Sequence, residues 1–84
     1  MDTLASWAEL RADERRARCR TLQGLLRSHV GPNAAAEVIR LLRLAEGDVT
    51  ALALADDALR NLPSIPKRRA LSVLAATLPV DGRR

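Results

Sequence analysis

Apolar residues recur every three or four positions through most of this chain, and three short breaker motifs divide the pattern. The motifs are Gly31-Pro32-Asn33, Gly47-Asp48 and Pro63-Ser64. Glycine readily takes the left-handed conformation at a helix C-terminus and proline cannot continue a helix, so each motif marks an end and a new start. Leucine and alanine supply fifteen residues each, whereas phenylalanine and tyrosine are missing. The pattern therefore predicts an all-α protein, a small antiparallel bundle of three or four helices.

The spacing predicts a single domain over residues 1–79. Its helices are expected at about 7–29, 33–46, 49–62 and 66–78, followed by a flexible basic tail at 80–84. At the N-terminus two alternatives are open. Either a capping box at Ser6-Trp7-Ala8-Glu9 begins one long helix, or a short turn leads into a helix from about residue 13. Asn33 and Asp48 are expected to cap the second and third helices.

Helical spacing also predicts which side chains point inward. In the third helix the inward set is Ala51, Leu52, Ala55, Ala58, Leu59 and Leu62, and in the last helix it is Leu71, Leu74 and Leu78. Asp56 and Asp57 are predicted to point outward. Because neighbouring residues of a helix diverge by about 100°, these two carboxylates do not form an acid/base pair.

Residue types that carry chemistry are scarce. His29 lies near a helix C-terminus, where an imidazolium is favoured, and Cys19 lies on an apolar stripe. Neither a metal-ligand spacing nor a glycine-rich phosphate loop is present. We therefore expect no enzymatic activity, no cofactor and no metal. A lone cysteine, no leader peptide and no membrane-length apolar segment favour a cytoplasmic protein.

Positive charge is concentrated in two clusters within a chain of net charge +4. The first comprises Arg11, Arg15 and Arg18 on one predicted helix face and Arg16, Arg20 and Arg27 on an adjoining face. The second comprises Lys67, Arg68 and Arg69, in the first turn of the last helix, where the helix dipole favours anions instead. Guanidinium groups could contact phosphates or partner carboxylates, and either cluster could equally be solvated surface.

One segment resembles a known repeat. GDVTALALADDALRNLP, residues 47–63, resembles the second helix of a tetratricopeptide repeat, with Ala51, Ala58, Leu59 and Pro63 at matching positions. The wider hairpin at 33–63 is faintly similar to the central hairpin of the small type III secretion needle chaperones. The resemblance implies a helical groove that receives an amphipathic helix.

The leading hypothesis is a helical protein-interaction module, such as an adaptor, a chaperone or a small accessory subunit. Its groove would come from the hairpin at 33–62 and the edge formed by Trp7 and Leu10. The residues expected to bind a partner are Trp7, Leu10, Leu52, Lys67, Arg68 and Arg69. Trp7 could be a binding hot spot, or it could instead fix the N-terminus to the bundle.

Two alternatives remain open at the level of sequence. The chain could be a basic accessory subunit that contacts a nucleic-acid backbone through its two clusters, without base reading. It could also be a structural homo-oligomer. Salt dependence separates the first alternative from protein binding, because each phosphate contact adds to the salt slope.

Overall fold

A computed structural model of the protein describes residues 4–77. A short 3-10 helix, Ala5–Glu9, precedes four α-helices: α1 (Ala12–His29), α2 (Ala36–Ala45), α3 (Thr50–Arg60) and α4 (Ser64–Thr77). The described residues form helices and their connections, which confirms the predicted all-α class. The expected tail at 80–84 and Leu78 lie outside the described residues.

The N-terminus follows the second of the two predicted courses. Residues 4–10, hereafter the strap, contain the 3-10 helix, and Leu10 and Arg11 are then extended, with ψ of 159° and 152°. The extended pair separates the 3-10 helix from α1, so the Ser6-to-Glu9 motif does not begin a long helix. Helix α1 instead begins without a side-chain cap, and Asp13 and Glu14 complement the dipole in its first turn.

The breaker motifs act through different groups. Gly31 has φ +111°, and its N–H donates to the Leu26 carbonyl at 3.0 Å, which ends α1 as predicted. Asp48 Oδ1 accepts from the backbone N–H of Thr50 at 3.0 Å and from its hydroxyl at 2.7 Å, at the start of α3. The Asn33 cap is not formed, because a turn intervenes and α2 begins at Ala36 without a side-chain cap.

Helix packing departs from a simple sequence of neighbouring pairs. Helix α1 packs extensively against both α2 and α4, α2 packs against α3, and the strap packs against α3. Helices α3 and α4 are consecutive but share no extensive contact. After Pro63 the chain turns back towards α1.

The core consists mainly of leucine and alanine, with every element contributing. Its members are Leu4, Trp7, Cys19, Leu22, Leu26, Ala35, Val38, Ile39, Leu41, Leu42, Ala45, Ala51, Leu52, Ala55, Leu59, Leu62, Ala70 and Leu74. Helix α4 contributes only Ala70 and Leu74, with Leu71 partly buried beside them. Asp56 corrects the prediction of an outward side chain, since it is buried at the edge of the inner face of α3.

Candidate functional site

The predicted partner groove is covered by the chain's own strap. Trp7 is only 4% exposed, Leu52 is buried, and Leu10 is partly buried against the core. Since the strap packs on α3, Trp7 fixes the N-terminus to the bundle, the second of its two predicted roles. In this conformation Trp7 and Leu52 do not offer a partner an accessible surface.

Half of the first basic cluster makes contacts within the protein. The Arg15 Nε group donates to the Ala45 carbonyl oxygen at 3.2 Å, at the C-terminal end of α2, where a cation also complements the dipole. Arg20 Nε donates to Glu46 Oε1 at 3.1 Å. Arg11 lies 3.8 Å from Asp13, and because both side chains are largely exposed this pair contributes little.

Glu46 is the centre of a small polar group between α1 and α2. Its Oε2 accepts from Gln23 Nε2 at 2.8 Å, and its Oε1 accepts from Arg20. The Glu46 side chain is 16% exposed and Gln23 is buried. Burial alone would raise the pKa of Glu46, but the hydrogen bonds from Gln23 and Arg20, with the nearby charges of Arg20 and Arg43, outweigh burial and lower it. The group therefore holds an ionised carboxylate against α1.

The rest of the first cluster is divided between two sides of α1. The side chains of Arg16, Arg18 and Arg27 make no hydrogen bond or ion pair with any residue in 4–77. At about 100° per residue, Arg16 and Arg27 share the outward face with Arg20, whereas Arg18 is half-buried on another side. The six arginines therefore do not form one continuous surface.

The second basic cluster stays together at the start of α4. Arg68 and Arg69 are exposed, Lys67 is half-buried, and none of the three has a charged partner among the described residues. Helix α4 has no acidic residue along its length. The backbone N–H of Lys67 already donates to the Pro63 carbonyl at 3.1 Å. The cluster thus presents side-chain charge outward.

Exposed aliphatic side chains accompany these cations. Ile65 is 65% exposed and Val73 is 40% exposed, because the buried stripe of α4 is narrow. Helical spacing aligns Ile65, Arg69, Ser72 and Ala76 along the outer side, with Arg68 and Val73 flanking them. We call these six residues the α4 outer face. Sequence reasoning identified its cations but missed Ile65 and Val73, although Ile65 lies opposite the Ala70–Leu74 stripe on a helical wheel and Val73 lies to one side of it.

Other exposed aliphatic residues lie on and beside the α2–α3 hairpin. They are Leu44, Val49 and Leu54. The hairpin carries exposed charges of both signs, including the Glu37–Arg40 pair at 2.7 Å. The hairpin therefore lacks the uniform charge of the α4 outer face.

Two further titratable groups lie around Cys19 on α1 and around Arg60 on α3. Cys19 is fully buried, and burial, reinforced by the charge of Glu46 and partly offset by Arg15, raises its pKa to about 11. Its thiol is therefore protonated at neutral pH and shielded from solvent. Arg60 lies between two divergent carboxylates, 3.7 Å from Asp56 and 3.4 Å from Asp57. Across residues 4–77, His, Cys, Asp and Glu side chains form no group of three that could hold a metal ion.

No helix within residues 4–77 combines the length and apolar character needed to cross a membrane. Comparison of the chain with protein-family models, with curated proteins and with solved structures gives no significant match.

Proposed function

We propose that this protein is a non-enzymatic helical interaction module that binds an acidic amphipathic helix of a partner protein on the α4 outer face. The observation that carries the proposal is the combination of Ile65 and Val73, both substantially exposed, with Arg68 and Arg69 on a helix that has no acidic residue. A partner helix with aliphatic and acidic side chains on one face would match both components.

The geometry favours a protein partner over a nucleic-acid backbone. Arg15 and Arg20, two of the arginines expected to contact phosphates, are engaged with Ala45 and Glu46 within the chain. The phosphate backbone offers no apolar surface for Ile65 or Val73. Aliphatic side chains exposed between cations are better satisfied by another protein.

The expected affinity is modest. Complete burial of a valine or isoleucine side chain contributes about 1.5–3 kcal/mol, and Val73 is already more than half covered. Charge-assisted hydrogen bonds to Arg68 and Arg69 add about 1.5–3 kcal/mol each only where water is excluded. After the cost of association, these contributions indicate a transient complex.

Matched variants of the full chain test the proposal. Partners would be captured by proximity labelling in the native host and quantified for Ile65→Asp and for the Arg68→Gln/Arg69→Gln double variant. Leu54→Asp is the control for the apolar change, because Leu54 is 57% exposed on α3, and Arg43→Gln is the control for charge. We expect the same partner to be lost with both α4 variants and retained with both controls. Equal losses in the control variants would refute the assignment to α4.

A salt titration separates the protein and nucleic-acid alternatives. Mixed-sequence DNA and RNA would be titrated at two salt concentrations. If Lys67, Arg68 and Arg69 bind the nucleic-acid backbone, the logarithm of the binding constant should fall with the logarithm of salt concentration with a slope of about −2 to −3. This binding should disappear when all three residues are changed to glutamine, and Ile65→Asp should not affect it. That result would replace the proposed function with nucleic-acid backbone binding.

A further inference from the structure

The strap is a structurally separate part of the bundle. It contains a five-residue 3-10 helix without a side-chain cap, and the extended Leu10 and Arg11 divide it from α1. At the two ends of this short helix, Trp7 N–H donates to the Leu4 carbonyl at 2.9 Å, and Leu10 N–H donates to the Trp7 carbonyl at 3.1 Å. An element this short has little stability of its own and depends on the surface that it covers.

The strap packs on α3, and buried apolar side chains of both belong to one core. Leu4 is fully buried and Trp7 almost so, three residues apart along the strap, and both belong to the core that includes Leu52 and Leu59. Helix α4, which follows α3 in the chain, does not cover this side extensively. The strap therefore fills a position beside α3 that a separate helix could fill.

We propose that the strap is a displaceable self-ligand, and that the groove beneath it binds a helical segment presenting a large aliphatic and an aromatic side chain three residues apart. The strap itself defines this chemistry, because Leu4 and Trp7 are the side chains that the groove holds in the closed state. An external ligand of this kind competes with the strap for the same groove. Its apparent affinity is therefore the intrinsic affinity multiplied by the fraction of molecules in which the strap is open.

Trp7, the only tryptophan, reports directly on displacement. A peptide corresponding to residues 4–11, with phenylalanine replacing the tryptophan, would be titrated onto the full-length protein while the emission of Trp7 is recorded. Displacement moves Trp7 into water and shifts its emission to longer wavelength. A control peptide carries Leu4→Asp and Trp7→Asp and should cause no shift.

The full-length Leu4→Ala variant strengthens the test, because it weakens the strap and leaves the groove intact. We expect it to bind the peptide with an apparent affinity on the order of tenfold higher or more, with unchanged helical far-UV circular dichroism. We expect Ile65→Asp to leave peptide binding unchanged, which keeps this proposal separate from the function assigned to the α4 outer face.

Three results would overturn the proposal. The first is the absence of any spectral shift in Leu4→Ala up to the solubility limit of the peptide. The second is a shift accompanied by loss of helical signal, because the strap would then be inseparable from the fold. The third is loss of peptide binding in Ile65→Asp, which would move the peptide to α4.

Discussion

Replacing Glu46 with alanine should produce a defined loss of stability. The change leaves the Gln23 amide, a buried donor, without its 2.8 Å acceptor, at a cost of about 1–3 kcal/mol. It also removes the ion pair with Arg20, whose side chain is 69% exposed, so we assign this pair only about 0.2–1 kcal/mol. The two contributions together give an expected loss of about 1–4 kcal/mol of unfolding free energy.

The loss should depend on pH, with a sign that follows from the pKa of Glu46. That pKa is lowered in the folded protein from its usual 4.5, so the unfolded chain binds more protons as the solution becomes acidic. The stabilisation from the ionised carboxylate is therefore complete above pH 4.5 and is lost as pH falls through the folded-state pKa. The difference between wild type and Glu46→Ala should shrink over the same range.

Urea unfolding followed by circular dichroism, at neutral pH and at acidic pH, measures both effects. Glu37→Ala is the control, because Glu37 also has a lowered pKa but belongs to an exposed pair with Arg40. We expect the control to change stability far less than Glu46→Ala. A loss below about 0.5 kcal/mol for Glu46→Ala, or an equal loss at both pH values, would refute the role assigned to this polar group.

Three further predictions concern the backbone, the second basic cluster and the strap. Gly31→Ala should destabilise the folded protein by about 1–2 kcal/mol, because Gly31 has φ +111°. Gly24→Ala should stabilise the folded protein by about 0.5–1 kcal/mol, because Gly24 lies in the interior of α1 with open space around it. Equal effects of the two variants in thermal unfolding would contradict this prediction. Changing Lys67, Arg68 and Arg69 together to glutamine should leave stability unchanged or raise it by a few tenths of a kcal/mol per residue, because cations are unfavourable at a helix N-terminus. A clear loss of stability in urea unfolding would show instead that these side chains stabilise the fold internally. In urea, the emission of Trp7 should change at a lower concentration than the helical signal, because the strap can open locally; coincident transitions would indicate one cooperative unit.

Sequence periodicity predicted most of the buried side of α3, because helical spacing determines which of its side chains share a face. The left-handed Gly31 and the bonds of Asp48 follow from local chemistry that sequence motifs encode. The break at Leu10 was left open, since a capping box and an extended link are both compatible with the same short segment. Asp56 was misplaced because a helical wheel gives its angle but not the neighbouring element that covers it.

The candidate site was less predictable than the fold. Arg15 and Arg20 contact groups at the C-terminal end of α2, namely Ala45 and Glu46. The local sequence around the two arginines does not predict where that end of α2 lies. Exposure of Ile65 and Val73 likewise follows from which side of α4 packs against α1, a tertiary property. The tetratricopeptide resemblance of 33–63 remains a prediction, as do the chaperone and adaptor roles associated with it.

The return of α4 to α1 has a consequence for how the chain folds. The α2–α3 pair closes across a few residues, whereas α1 and α4 meet only after the whole segment 30–63 has been brought round. The added loop-closure entropy is about 1.5–2 kcal/mol, and the strap on α3 is a second long-range closure. Both ends of the described chain therefore pack on helices that are distant in sequence. Shortening the protein from either side would uncover the core, and we expect folding to be slower than in a bundle whose helices pair only with their neighbours.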